Sequence, residues 1–75
     1  MTKSIIYIGT IDISTRPKRR RAVSLIVNAL SQIHYEEDAY QSRIPLNLQG
    51  GGAYNAADDS ISYLVDAICT LSEAY

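Results

Sequence analysis

The chain has 75 residues and a formal net charge of −1, which indicates one small domain over residues 1–75. A chain of this length buries only about 60% of the surface that its unfolded form exposes, so a single core leaves it marginally stable. The near-neutral charge excludes binding of polyanions through overall charge. No apolar run approaches the roughly 20 residues of a membrane span, and no long apolar leader begins the chain. We therefore expect a cytoplasmic protein that does not bind membranes.

The usual supports of small domains are disulfides, metals or oligomerisation. Cys69 is the only cysteine, which excludes a disulfide within the chain, and His34 is the only histidine. A metal site is therefore disfavoured, and we expect no cofactor. Oligomerisation is the remaining common route, so the sequence predicts a homodimer or a larger homo-oligomer.

Residues 4–14, SIIYIGTIDIS, predict a strand because β-branched residues dominate them. Apolar side chains on both faces are typical of a strand that is covered on both sides. Gly9 indicates a bulge or the close approach of another backbone. A lone strand leaves its amides and carbonyls unpaired, so it is expected to pair with another strand.

An amphipathic helix is predicted next, capped by Ser14 or Thr15, with Pro17 in its first turn and its end near Tyr40. Its predicted apolar positions are Val23, Ile26, Leu30, Ile33 and Tyr40, flanked by Ala22, Leu25 and Ala29. Its predicted polar positions are Ser24, Asn28, Gln32 and His34.

Residues 43–55 predict a break, because Pro45 cannot continue a helix. Alternation of Ile44, Leu46 and Leu48 with polar residues is compatible with a short second strand. The glycines that follow predict a flexible or left-handed connection: Gly50, Gly51 and Gly52. Asn55 is the expected cap of a final helix, with Asp58 and Asp59 at its positive end.

The final helix carries the clearest pattern, an apolar stripe with alternating steps of four and three residues. Its members are Ala57, Ile61, Leu64, Ile68, Leu71 and Tyr75. The predicted fold is α+β: one main strand, a possible short second strand and two antiparallel amphipathic helices, with the strand completed by oligomerisation.

A basic cluster, Lys18, Arg19, Arg20 and Arg21, lies where the helix dipole favours acids, and acids follow near the other end at residues 36–38. Three interpretations stay open. The cations hold an anion such as phosphate, nucleic acid or an acidic protein surface. Alternatively, they pair with the acids of an antiparallel second copy. Finally, they form a solvated face of little energetic consequence.

A glycine-rich loop before a helix is an anion site in several folds, because free amides converge there. Here Gly50, Gly51 and Gly52 lead to Tyr54, but they match neither the Walker nor the dinucleotide pattern. A connection is therefore favoured over a phosphate site.

Catalysis is not indicated, because His34 and Cys69 belong to no nucleophile motif and the carboxylates of residues 36–38 point in different directions on a helix. We predict that the chain is not an enzyme.

A strand followed by two helices, over residues 4–75, resembles the ribbon-helix-helix DNA-binding proteins in element order. In that family, polar side chains of paired strands enter the major groove. The strand here is mainly isoleucine, with Thr10 and Asp12 as its polar members. If nucleic acid binds, the expected contacts are Arg19, Arg20 and Arg21.

The favoured hypothesis is a small regulatory, inhibitor or adaptor protein that binds another macromolecule, an unidentified protein, as a homo-oligomer. Small size, six tyrosines and an incomplete sheet favour it. One alternative is a nucleic-acid-binding regulator that uses the basic cluster. The other is a binder of a small anion, such as a nucleotide or phosphate, at a subunit interface lined by the glycine loop and the arginines.

Overall fold

The computed structural model describes residues 5–75 and places two α-helices there, α1 (Arg16–Ser42) and α2 (Gly52–Ser72). A single turn of 3-10 helix, Leu46–Leu48, lies in the connection between them. No described residue belongs to a strand. The fold is a helical hairpin, so the predicted α+β class is wrong.

The strand predicted over residues 4–14 is wrong for residues 5–14, and Ser4 lies outside the described residues. Gly9 adopts φ +74, a left-handed conformation that interrupts an extended run. A ladder also needs a second strand. The other candidate at Ile44, Leu46 and Leu48 instead turns into 3-10 helix after Pro45, so it is wrong too. Because no strand forms, the ribbon-helix-helix element order does not hold for the described chain.

Helix α1 begins as the sequence predicts. Thr15 is the N-cap, and its side-chain hydroxyl accepts a hydrogen bond from the Lys18 amide at 3.4 Å. Pro17 lies in the first turn, where its missing N–H costs nothing. The helix ends at Ser42, two residues beyond the predicted Tyr40.

Helix α2 begins earlier than predicted. Its N-cap is Gly51, and Asn55 lies inside the helix, where its side-chain amide donates to the Gly50 carbonyl at 3.4 Å. None of the three glycines has a positive φ, so the left-handed alternative for the predicted connection is wrong. Gly51 is needed for close approach instead, because a Cβ there would lie 3.2 Å from the Leu48 carbonyl oxygen.

The two helices pack antiparallel, as predicted. At one end the Gln41 side chain donates to the Tyr54 carbonyl at 3.4 Å, and at the other the Arg16 guanidinium lies 5.0 Å from the Tyr75 ring centroid. The predicted α2 stripe is confirmed from Ala57 to Leu71. Ala57 is buried, and four further members are half-buried: Ile61, Leu64, Ile68 and Leu71. The last predicted member, Tyr75, is 43% exposed and lies beyond the end of the helix.

The inward face of α1 differs from the prediction. The half-buried stripe that faces α2 consists of Val23, Val27, Leu30, His34, Glu37 and Gln41. The predicted core members Ile26, Ile33 and Tyr40 are 41–45% exposed, and His34, predicted to be on the polar face, is half-buried. Both patterns share Val23 and Leu30. The apolar arc of α1 is wider than one helix covers, and α2 lies along one edge of it.

Little of the described chain is deeply buried. The buried residues are Ala22, Ala29 and Ala57, and no large side chain is fully enclosed. The molecule measures 51 × 30 × 13 Å, so it is long and flat. Its radius of gyration is 15.5 Å, whereas a compact domain of this length would have one of about 11 Å.

Candidate binding surface

Residues 5–15, hereafter the N-terminal segment, fold back along α1. The Lys18 ammonium pairs with the Asp12 carboxylate at 2.7 Å, and the Arg19 guanidinium donates to the Ile13 carbonyl at 3.2 Å. Farther along, Ile5 and Ile6 line a groove with side chains from the second half of α1. The segment therefore runs antiparallel to α1 over much of its length.

Ala22 and Ala29 are buried although they lie about 110° around α1 from the stripe that faces α2. Ile33 and Tyr40 project from the same side of the helix, and they border the groove that contains Ile5. The N-terminal segment is thus the element nearest to both alanines. Their small side chains let the segment approach the helix closely.

Large apolar side chains stay exposed around this contact. We define the apolar face by four residues of α1 and three of the N-terminal segment, each 41–59% exposed. They are Leu25, Ile26, Ile33 and Tyr40, with Ile5, Ile8 and Ile13. Three of these residues, Ile5, Ile33 and Tyr40, line a groove of about 910 Å³ that polar side chains also line: Ser31, Gln32, Glu36, Glu37 and Arg43. This face is therefore an apolar surface beside polar and charged side chains.

The opposite side of α1 is polar. Ser24 and Asn28 are exposed there, as the sequence predicts, whereas the exposed Ser31 and Gln32 border the groove that contains Ile5. Helix α1 therefore has an apolar side and a polar side, and the apolar side is the better suited to burial against another molecule.

The basic cluster is present but does not converge on one point. Successive helical residues point about 100° apart. Lys18 and Arg19 bind the N-terminal segment. Arg20 borders a separate groove of about 300 Å³ beside Leu71, and Arg21 is exposed. The four predicted anion contacts are thus divided between the N-terminal segment, the groove beside Leu71 and solvent.

Sequence reasoning missed the role of Arg16. Its cation lies over Tyr75, just beyond the carboxyl end of α2, and Arg20 borders the same end. Helix dipoles favour cations at carboxyl ends. Two cations that are unfavourably placed on the dipole of α1, Arg16 and Arg20, are therefore beside the favourable end of α2. The pattern of a single helix contains no signal of this tertiary pairing.

The glycine loop lies at the other end of the hairpin. Helix α1 continues from the basic cluster to Ser42, so about 35 Å of helix separates that loop from the cluster. Gly50 precedes the helix, Gly51 caps it and Gly52 is its first residue, while Tyr54 is half-buried and uses its carbonyl to bind Gln41. Within one chain, these residues and the arginines do not form a joint pocket.

Sequence reasoning also missed the role of Gln41 in joining the two helices. Its side-chain amide donates hydrogen bonds to the Tyr54 carbonyl at 3.4 Å and to the Asp58 carboxylate at 3.3 Å. The signal was the continuing spacing of four and three residues from Val23 to Gln41, which polar residues obscured.

His34 belongs to the same stripe, and Cys69 is exposed on α2. Over residues 5–75, no group of three or more His, Cys, Asp or Glu side chains is arranged to hold a metal ion.

Comparison with known protein families, curated proteins and solved structures gave no significant match. Within the described part of the chain, neither helix has the length and apolar character required to cross a bilayer. The apolar face is therefore the feature of the molecule from which a function is inferred.

Proposed function

We propose that this chain is a non-catalytic binding protein that acts by docking its apolar face against the surface of a protein. The observation that supports the proposal is the exposure of the large apolar residues of α1 and the N-terminal segment, while only alanines are buried in the described chain. Large apolar patches with polar rims are typical of interaction sites.

Covering exposed apolar side chains contributes favourable free energy to binding. Full burial of an isoleucine or leucine side chain contributes about 1.5–3 kcal/mol, so covering a half-exposed one contributes roughly 1 kcal/mol. Covering the whole apolar face therefore contributes several kcal/mol to binding, which offsets the entropy that two molecules lose on association.

A protein partner fits this face better than an anion does. The groove in it is lined by aliphatic and aromatic side chains together with charges of both signs, Glu37 and Arg43 among them. Apolar and aromatic residues bordered by polar groups are typical of protein interfaces. Nucleic-acid binding by Arg19, Arg20 and Arg21 stays a prediction from sequence, and the way these side chains diverge does not favour it.

Site-specific photo-crosslinking in cells tests the proposal. A photoreactive amino acid replaces Ile33 on the apolar face, and a matched variant carries it at Asn28 on the polar side of the same helix. We expect covalent protein adducts at position 33 and few at position 28, because only the first position is covered in the complex. Equal labelling at both positions, in variants whose circular dichroism shows intact helices, would contradict the proposal.

A further inference from the structure

We infer that the protein covering the apolar face is a second copy of this chain, so that two hairpins stack into a two-layer, four-helix assembly. This inference rests on the proposed function, because it names the partner of the same face. Three independent features of the structure support it: the number of layers, the accessible area and the arrangement of charge on α1.

The first feature is the number of packed layers of secondary structure. Domains generally consist of two packed layers that bury one shared core. The two helices form a single layer, and none of the large side chains in the described chain is fully buried. A second hairpin stacked on the apolar face supplies the missing layer.

The second feature is the solvent-accessible surface area of the chain. The accessible surface, counted over all 75 residues, is 5925 Å² for a mass of 8.3 kDa. A compact monomer of that mass exposes roughly 4,600 Å². The surplus is roughly 1,300 Å² per chain, or about 2,600 Å² for two chains, which lies in the range of permanent homodimers. One further copy therefore matches the surface that the hairpin leaves uncovered.

The third feature is the arrangement of charged side chains along α1. Arg19 and Glu37 are eighteen residues apart, which is five full helical turns, so both project from the same side of α1, at the edge of the stripe that faces α2. Ile26 and Ile33 lie between them near that side. The resulting line is positive at one end, apolar in the middle and negative at the other. Two such lines match when they run antiparallel, as in a two-fold symmetric dimer.

The parallel arrangement places like charges together, and like-charge contacts discriminate against a wrong partner or orientation. Exposed ion pairs contribute little affinity, so the apolar middle supplies the stability and the charged ends set the direction. Arg19 already donates one hydrogen bond to the Ile13 carbonyl, but a guanidinium has further donors for a partner.

Sedimentation equilibrium of the full chain over a wide concentration range is the first test, and we expect twice the mass of 8.3 kDa. Ile33→Glu should weaken the dimer roughly 10- to 100-fold, as for a central interface residue. Asn28→Glu is the matched control, with the same new charge on the polar side, and should dissociate like the parent.

Two charge-reversal variants provide a second test in case Ile33→Glu fails to fold. Arg19→Glu and Glu37→Arg should each weaken self-association, because each homodimer then contains two like-charge contacts. Their equimolar mixture should dimerise more tightly than either alone, because both contacts become opposite in sign. A mixture no tighter than its components, or a parent that is a folded monomer throughout, would overturn the inference.

The crosslinking experiment separates the two proposals. Adducts at position 33 with another protein, together with a monomeric parent, would leave the proposed function standing and reject the second copy as partner. The absence of any adduct specific to position 33 would reject the proposed function itself.

Discussion

At the scale of single residues, Asp12 and Lys18 have the clearest electrostatic consequence. The hydrogen bond from Lys18, followed by those from Ser14, lowers the pKa of the Asp12 carboxyl from 3.8 to about 2. A lowered pKa means that the carboxylate form is favoured in the folded chain. The ion pair therefore holds the N-terminal segment at neutral pH, and this contribution is lost as the pH falls from about 4 toward 2.

Carboxyl NMR titration of Asp12 checks this directly. In Lys18→Gln, the pKa of Asp12 should rise toward its ordinary value, because the largest cause of the shift is gone. Arg21→Gln is the control: it removes one positive charge from the same cluster but no bond to Asp12. A parent in which Asp12 titrates at its ordinary value would show that the pair is rarely formed in solution.

The residues of this cluster also show what sequence can predict at this scale. Four adjacent cations are visible in the printed chain, and so is their conflict with the dipole of α1. Their partners are not visible, because Asp12 and Ile13 come from a segment whose path depends on Gly9 and on the burial of Ala22 and Ala29. Helical periodicity describes one helix at a time, so it does not predict which side chains from elsewhere approach that helix.

At the scale of elements, the stripe of α2 determines how the hairpin closes. Leu64→Ala and Ile68→Ala should each lower the free energy of unfolding by about 1–3 kcal/mol, less than the 2–5 kcal/mol for fully buried sites, because both side chains are half-buried. Ser62→Ala and Asp66→Ala, at exposed positions of the same helix, should change it by no more than roughly 0.5 kcal/mol. Thermal and urea melts measure the difference, and equal sensitivity of the two pairs would contradict the assigned face.

The two helices differ in how far sequence predicts their packing. Helix α2 has one narrow apolar stripe, so its inward face was predicted correctly. Helix α1 has an apolar arc that runs from Leu25 through Ile33 to Val27, and any part of that arc could face a neighbour. The strand prediction failed for another reason. A β-branched composition favours extended backbone, but a strand forms only where a second strand supplies its hydrogen bonds.

At the scale of the whole molecule, the open end of the hairpin brings the amino end of α1 beside the carboxyl end of α2. Arg16 stacks on Tyr75, and Arg20 borders the last turn of α2 near Leu71. A cation over an aromatic ring contributes about 0.5–1 kcal/mol at exposed sites, and a cation at a helix carboxyl end contributes about 0.3–1 kcal/mol. These contacts hold two long helices together where no covalent connection joins them.

The double variant Arg16→Gln, Arg20→Gln should therefore loosen this end before it affects the rest of the hairpin. A loss of about 1–1.5 kcal/mol corresponds to roughly 5- to 12-fold faster amide exchange in the last two turns of α2, if those amides exchange by local opening. Exchange near Gly51 and Gln41, at the connected end, should stay unchanged. The single variant Arg21→Gln is the control, because Arg21 is exposed and no described contact links it to α2. Uniformly faster exchange along both helices would mean that the hairpin opens as one unit, and the open end would then have no separate role in holding α1 and α2 together.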